Sequence, residues 1–401
     1  MHKDIVILGA GVVGSAIAFE LTRRGVKDVH VVDVDLTGSL SSSERNAGGV
    51  RHLWQQKINS DLSKISIDFF SSIAPEIGFL QKGYLWLFSP EQKERGESIV
   101  AHTRERKLSY ETLGVSELSR RYPFLDKTEN LAFGLFGSQD GILNTNALKE
   151  YFRKKASAQG ASFHNGLWAH SLVAKSGSLR FSVSPVNSPG SVEQQMGHPE
   201  AAISPLSEMW SCEKLIIAAG AWSREILKPY FADPVTFPVR RQISFFKAED
   251  LDLSPYGMIV DTSRVYFHPE GGNVLAGLVL KDEKPGYRFD YDSDFFETHI
   301  WPNLFERSSK FERLKHISGW GGLYSYTPDI TGILGNVPGL PEVYEAHSFT
   351  GHGVMQSYAA GVLLAEKILE GKYTTINAEC LSRDRFLKKD PALLLQEDLH
   401  I

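Results

Sequence analysis

Residues 5–33 read IVILGAGVVGSAIAFELTRRGVKDVHVVD, and their order decides the fold. Ile5-Val6-Ile7-Leu8 is a short unbroken apolar run, the pattern of a central strand in a parallel sheet. Gly9-Ala10-Gly11-Val12-Val13-Gly14 follows directly. Ser15 to Arg24 then reads as a helix, with Ile17 and Leu21 on one face and Gly25 as its stop. Val29-His30-Val31-Val32 gives a second strand and completes a βαβ unit. In that setting the glycines form a dinucleotide-binding turn. Gly9 permits the tight turn, Gly11 lets the backbone approach a pyrophosphate, and Gly14 lets the helix lie close to the strand. Free N–H groups at the helix start, around Ala10, Val12 and Val13, stabilise phosphate charge. Asp33 stands 19 residues beyond Gly14, where a carboxylate accepts hydrogen bonds from ribose hydroxyls. The turn itself leaves NAD and FAD both open.

The rest of the chain bounds the answer. Its 401 residues exceed one compact core, so two closely packed domains are expected. The net charge of −5 is spread without long runs of one sign, which argues against nucleic acid as a main partner. Two cysteines, Cys212 and Cys380, with no CxxC or Cys/His cluster, exclude a disulfide framework and predict no metal site. Apolar stretches such as Leu215–Trp222 and Ala359–Ala365 are far shorter than the roughly 20 residues of a membrane span. The sequence runs from Met1 straight into the first strand, so no leader peptide is expected ahead of it. The reading is cytoplasmic, with peripheral docking to a membrane complex left open.

Further along, Leu215–Gly220 reads as a buried strand entering a small-residue turn. Val265–Pro269, Gly271-Gly272 and Val274–Leu280 read as a β-hairpin. Val354, Tyr358, Val362, Ala365 and Leu369 recur at helical spacing, and Gly371 closes that helix. Residues 176–211 turn rich in Ser, Pro, Gly and Gln, and are expected as an exposed loop or long hairpin insertion.

Four segments carry a resemblance. They are Ser41–His52 (SSSERNAGGVRH), Leu215–Ser223 (LIIAAGAWS), Gly321–Gly335 (GGLYSYTPDITGILG) and Ser348–Gly371. In this order they resemble the FAD-dependent amine- and amino-acid-oxidising flavoproteins, the family of sarcosine oxidase, glycine oxidase and dimethylglycine dehydrogenase. GHGVMQ, the helix after it and GKYTTIN resemble, more narrowly, the mitochondrial FAD-dependent oxidoreductase-domain proteins that assist assembly of respiratory complex I. The resemblance implies a two-domain α/β flavoprotein: a discontinuous Rossmann-like FAD domain (1–84, 141–234 and 321–401) and a mixed-sheet substrate domain (85–140 and 235–320). It implies FAD contacts from Ser42, Ser43, Arg45, Asn46, Ala47, Gly48 and Gly49, and from Ala169, Ala219, Gly220 and Trp222. Leu323, Tyr324, Gly351, His352, Gly353, Val354 and Met355 complete the implied set. Small residues in Asn46–Gly49 suit close approach to a flavin. Gly351–Gly353 ahead of a helix would set backbone donors where reduction builds negative charge.

For catalysis the resemblance implies Arg51, His52, Tyr266, His268 and Tyr324. Arg51 is placed to hold a carboxylate. Tyr266 and His268 share one side of a hairpin strand, with surface or core positions as the plain alternatives. Gly322 stands where some relatives carry a flavin-linked cysteine, so non-covalent FAD is expected, His52 being the alternative attachment point. Relatives that react fast with oxygen carry lysines near Leu275 or Ala276 and at Met355. Their absence predicts a protein or quinone acceptor rather than oxygen. The implied reaction is oxidation of the C–N bond of an N-substituted or cyclic amino acid to an imine. Two alternatives stay open: a flavin-containing assembly protein, and a 2-hydroxy-acid dehydrogenase on the same fold.

Overall fold

The computed structural model describes residues 2–175, 178–186, 206–232, 234–388, 390–397 and 399. The first sheet contains β1 (His2–Leu8), β2 (Val29–Asp33), β8 (Ser162–Asn165), β9 (Leu167–Lys175), β10 (Ser178–Pro185), β11 (Glu208–Ile217), β17 (Ile333–Val337) and β18 (Leu340–His347). The second contains β4 (Tyr84–Phe88), β5 (Tyr110–Gly114), β6 (Phe133–Gly137), β12 (Phe237–Ala248), β13 (Met258–Val260), β14 (Tyr266–Glu270), β15 (Asn273–Leu278) and β16 (Leu314–Tyr326). A short pair, β3 (Gly49–Val50) and β7 (Gly141–Ile142), stands apart from both.

The apolar run Ile5–Leu8 has no polar side chain to expose, and β1 accordingly lies inside the first sheet. It pairs in parallel with β2 and with β11. Leu8 faces Val32 on one side and Ile217 on the other, so three strands end level. Gly9, Asp33 and Ala218 thereby meet at the carboxyl edge of a parallel sheet, the place where α/β folds bind ligands.

The helix Val12–Arg23 is buried along almost its whole length. It packs against Gly353–Glu370, and the two backbones cross closely. A Cβ on Gly361 would lie 2.8 Å from the Ala16 carbonyl oxygen. Gly361→Val is therefore expected to lower stability by about 1–3 kcal/mol through overpacking, read from urea unfolding midpoints.

The hairpin forms as expected, with Gly271 and Gly272 at φ +56° and +80° supplying the tight reversal between β14 and β15. Of the two expectations for 176–211, the described ends form the hairpin, and they are built into the sheet rather than exposed. Leu179, Phe181 and Val183 of β10 and Trp210 of β11 are buried. Those strands pair antiparallel, so both ends of the stretch belong to the sheet. Leu179, Phe181 and Val183 alternate strictly with Arg180, Ser182 and Ser184, a strand pattern outweighed in the reading by the Ser-, Pro- and Gly-rich composition of the stretch. Residues 187–205 lie outside the described residues. The expected domain edges at 84 and 320 both fall within the second sheet, since β4 begins at Tyr84 and β16 runs unbroken from Leu314 to Tyr326. Among the described residues no helix is long and apolar enough to cross a membrane.

Candidate cofactor and substrate site

One long cleft runs from the carboxyl edge of the first sheet to the face of the second. Its walls come from the turn after β1, the loop Gly38–Gly49, residues Ala218–Trp222, the end of β16 and the stretch Ala346–Met355.

At the first end the turn is held rigid by its own polar groups. The Ala10 N–H donates to Asp33 (2.5 Å), while its carbonyl accepts from Ser15 (3.0 Å) and Arg153 (2.7 Å). Gly9 has φ +105°, and a Cβ there would lie 2.4 Å from the Ala218 oxygen. A Cβ on Gly14 would lie 2.0 Å from the Gly9 oxygen, so Gly14 serves the strand–helix approach. Gly11 differs from both. An added Cβ would touch only the Ser43 hydroxyl at 3.4 Å, and Gly11 is itself part of the cleft wall.

Two carboxylates, Asp33 and Asp35, line this end. Burial pushes Asp33 upward, opposed by N–H bonds from Asp35 and Ala10. Burial also acts on Asp35, yet hydrogen bonds from Thr37 and Ser39 hold it below the usual carboxylate range.

The next wall is a pinned loop. Asn46 donates to the Ser43 carbonyl (2.5 Å) and accepts from the Gly48 N–H (2.5 Å) and Thr145 (2.9 Å). Ser42 donates to the Leu323 carbonyl at 2.5 Å, and Ser43 accepts from the Val12 N–H at 3.0 Å. Across the cleft Gly351, at φ +84°, lies against Tyr324, whose ring would be 2.3 Å from an added Cβ. His352 meets the Trp54 ring edge-on at 4.2 Å.

At the far end the wall becomes aromatic and cationic. Arg51, Tyr84, Met258, Tyr266 and Tyr324 converge there. The pairing Met258↔Tyr84 across β13 and β4, and Val260↔Tyr266 across β13 and β14, brings three of them together. Arg51 is buried, with its guanidinium 3.6 Å from the centre of the Trp54 ring and 5.0 Å from that of Trp86. It donates to the carbonyls of Leu53 and Leu399. Burial lowers its proton affinity, partly offset by the nearby Tyr84 and Glu397.

Burial raises the Tyr84 and Tyr266 phenols, and takes Tyr324 up to about 12. All three are neutral donors at physiological pH. A raised folded pKa contributes stability below the unfolded value near 10 and loses it as pH climbs through the folded value. Urea unfolding should therefore show stability falling between pH 10 and about 12. Tyr324→Phe is expected to flatten that fall.

The expected residues divide clearly. Gly9, Gly11, Val12, Val13, Asp33, Ser42, Ser43, Asn46, Ala47, Gly48, Gly49 and Ala169 lie on the wall. So do Ala219, Gly220, Trp222, Leu323, Tyr324, Gly351, His352, Gly353, Val354 and Met355, together with Arg51 and Tyr266. Ala10, Gly14 and Arg45 act from behind it, Arg45 by donating to the Ser39 (2.6 Å) and Gly321 (2.8 Å) carbonyls.

His52 and His268 are not on the wall. His52 is buried against Asp140, its Nδ1 2.6 Å from the carboxylate, which also accepts from Tyr110. His268 is buried beside Tyr266, with Nδ1 2.9 Å from the Pro269 carbonyl, and burial lowers its pKa. Gly322 faces Arg45, whose Cβ would be 3.0 Å from a side chain there. Leu275 and Ala276 are buried in β15 and also lie off the wall.

Asp35, Tyr84, Met258, His347 and Ser348 line the cleft without having been expected. Asp35 lies in the loop after the end of β2 at Asp33, where no strand periodicity places it.

A flavin dinucleotide suits these walls. Two carboxylates at one end could accept from ribose hydroxyls, the missing side chain at Gly11 keeps the cleft open beside the turn, and phenols with one cation close the other end.

Comparison with known proteins agrees. Residues 4–367 match the family described as FAD dependent oxidoreductase. The chain is 30% identical to FAD-dependent oxidoreductase domain-containing protein 1 of Xenopus laevis, over 98% of this chain and 84% of that one. It is 25% identical to the monomeric sarcosine oxidase of Bacillus sp. (strain B-0618), over 92% and 93%. The solved structure of L-proline dehydrogenase from P. horikoshii superposes with a TM-score of 0.83 at 20% identity, covering 96% of this chain and 98% of that one. From its nucleotide turn to its helix Gly353–Glu370, the chain belongs to the FAD-dependent oxidoreductases, with FAD as its cofactor.

Proposed function

We propose that this protein oxidises the C–N bond of an N-substituted or cyclic amino acid to an imine, which water then hydrolyses. One observation carries the reading. Among the described residues Arg51 is the only Arg or Lys on the cleft wall, and the hydrogen bonds it donates end on neutral groups, two carbonyls and the Tyr84 hydroxyl. A buried cation with no bonded counter-charge is costly, and a substrate carboxylate would supply one through paired, charge-assisted hydrogen bonds. The names of two similar proteins, for sarcosine and for L-proline, point the same way.

When bound, FAD supplies the hydride acceptor. The chain's own residues position and enclose. Arg51 holds the carboxylate, Tyr84, Tyr266 and Tyr324 offer neutral hydroxyls, and Met258 closes the apolar side. No Asp or Glu lines that end among the described residues, so no carboxylate there takes the proton of the amine. Neither cysteine nor His52 lies on the wall, which supports non-covalent FAD. Acid precipitation is expected to leave the flavin in the supernatant; yellow colour in the pellet would overturn that part.

With no lysine on the cleft wall among the described residues, we assign the electrons to a protein or quinone acceptor in preference to oxygen. Photoreduced protein is then expected to re-oxidise slowly in air and fast with a quinone dye. The reaction class is tested by mixing the protein anaerobically with amino acids and hydroxy acids while following flavin absorbance. Bleaching by N-methyl or cyclic amino acids supports the proposal. Bleaching by hydroxy acids alone would replace it with 2-hydroxy-acid oxidation, and no bleaching at all with a role in assembly.

A further inference from the structure

The acceptor of one Arg51 N–H comes from a distant part of the chain. Leu399 presents its carbonyl to the guanidinium, and its side chain is buried in the same apolar cluster as Leu53, Tyr84, Trp86, Met258 and Tyr266. Two residues earlier Glu397 is almost wholly buried. One of its oxygens accepts from the N–H groups of Gln55 (3.0 Å) and Leu399 (3.0 Å). The other accepts from the Gln56 N–H (2.9 Å) and the Asn59 amide (3.2 Å). Its charge therefore sits at the start of the helix Lys57–Ser72, where the helix dipole favours an anion. The Glu397 and Leu395 N–H groups donate to Asp329, at 3.0 and 3.2 Å, and Asp329 is itself paired with Arg385 at 2.7 Å. These anchors hold Leu399 on Arg51. Beyond Leu399 lies a second cavity of about 160 Å³, lined in part by Leu53, Trp54, Ser98 and His102.

We propose that Glu397 and Leu399 form a latch that competes with the substrate carboxylate for Arg51, so that ligand entry releases the latch. The inference rests on Arg51 as the carboxylate-binding residue. Without ligand a buried guanidinium requires acceptors, and the Leu399 carbonyl supplies one. A carboxylate makes a stronger, charge-assisted bond with the same N–H and displaces it. Release also withdraws Leu399, which lines the second cavity and packs in one apolar cluster with Tyr84, Met258 and Tyr266 of the cleft, and so gives room for a larger group on the substrate. Leu399 is thus a specificity-determining residue, and Glu397 is a positioning residue that acts through it.

The test uses the FAD-loaded protein and acetate as an unreactive carboxylate, with binding read from the flavin absorbance difference. In the wild type, saturating acetate is expected to speed hydrogen exchange at the Glu397 and Leu399 amides by about 10-fold. Glu397→Gln and Leu399→Gly are expected to bind acetate about 10-fold more tightly, because the competent state no longer has to be freed first. Exchange unmoved by acetate in the wild type, or unchanged acetate affinity in folded variants, would overturn the latch. The exchange measurement needs no variant, so it stands even where Glu397→Gln fails to fold. Arg51→Gln separates the two readings. Retained acetate affinity in that variant overturns the role given to Arg51. Lost affinity there, with wild-type exchange unmoved by acetate, overturns the latch alone.

Discussion

Gly11→Val is expected to yield a folded, soluble and colourless protein. The other glycines of the turn cannot give so clean a result. A side chain at Gly9 or Gly14 would strike backbone at 2.4 or 2.0 Å, so those variants lose the fold along with the cofactor. At Gly11 the added atoms meet one serine hydroxyl at 3.4 Å and otherwise project into the cleft. They occupy the space a pyrophosphate needs, at a cost of about 3 kcal/mol or more, which is over 100-fold in flavin affinity. The measurement is the flavin-to-protein absorbance ratio after purification, beside a thermal melt of the apoprotein. Full flavin content in a soluble variant would show that the dinucleotide lies elsewhere.

Arg51→Gln carries the second large effect. If Arg51 binds the substrate carboxylate, its loss leaves that carboxylate facing buried phenols and a Met side chain with no counter-charge. Removing one partner of a buried ion pair costs about 3–5 kcal/mol, so kcat/KM should fall roughly 100- to 5,000-fold. Most of the loss should sit in KM if the contact is equally strong in ground and transition states, and in kcat if it tightens during hydride transfer. Flavin content should stay unchanged. Arg51→Lys should recover only part of the activity, because an ammonium cannot reproduce the paired geometry of a guanidinium. A fall of less than 10-fold in Arg51→Gln would remove this residue from the substrate site.

The sequence announces these two residues very differently. Gly11 belongs to a turn whose physics is local. Strand, glycines and helix lie within some 20 consecutive residues, and each glycine has a steric reason that can be read without coordinates. Tyr84 and Met258 gave no such signal. They meet because β4 pairs with β13 across more than 170 residues, and no pattern near either residue specifies that register. His52, read as the alternative point of flavin attachment, follows Arg51 directly, but neighbouring residues of an extended chain point to opposite sides. Arg51 reaches the cleft, while His52 turns to Asp140. His268 kept the expected side of β14 with Tyr266, yet it lies one step too far along the strand to reach the cleft.

The way the cleft is assembled also bears on how the protein is made. Its walls are drawn from residues near 9–13, 33–49, 218–222, 323–325 and 346–355. At cellular translation rates roughly 20 to 70 s separate the emergence of Gly14 from that of Met355. For more than half of that interval the nucleotide turn lacks β11 beside it, and until the end it lacks the helix Gly353–Glu370 over it, so the flavin site is incomplete. FAD is consequently a ligand of the finished chain, and it stabilises that chain only by mass action after release from the ribosome. A cell short of riboflavin would contain less of this protein altogether, because the newly made chain stays open to proteases until the flavin closes the equilibrium behind it.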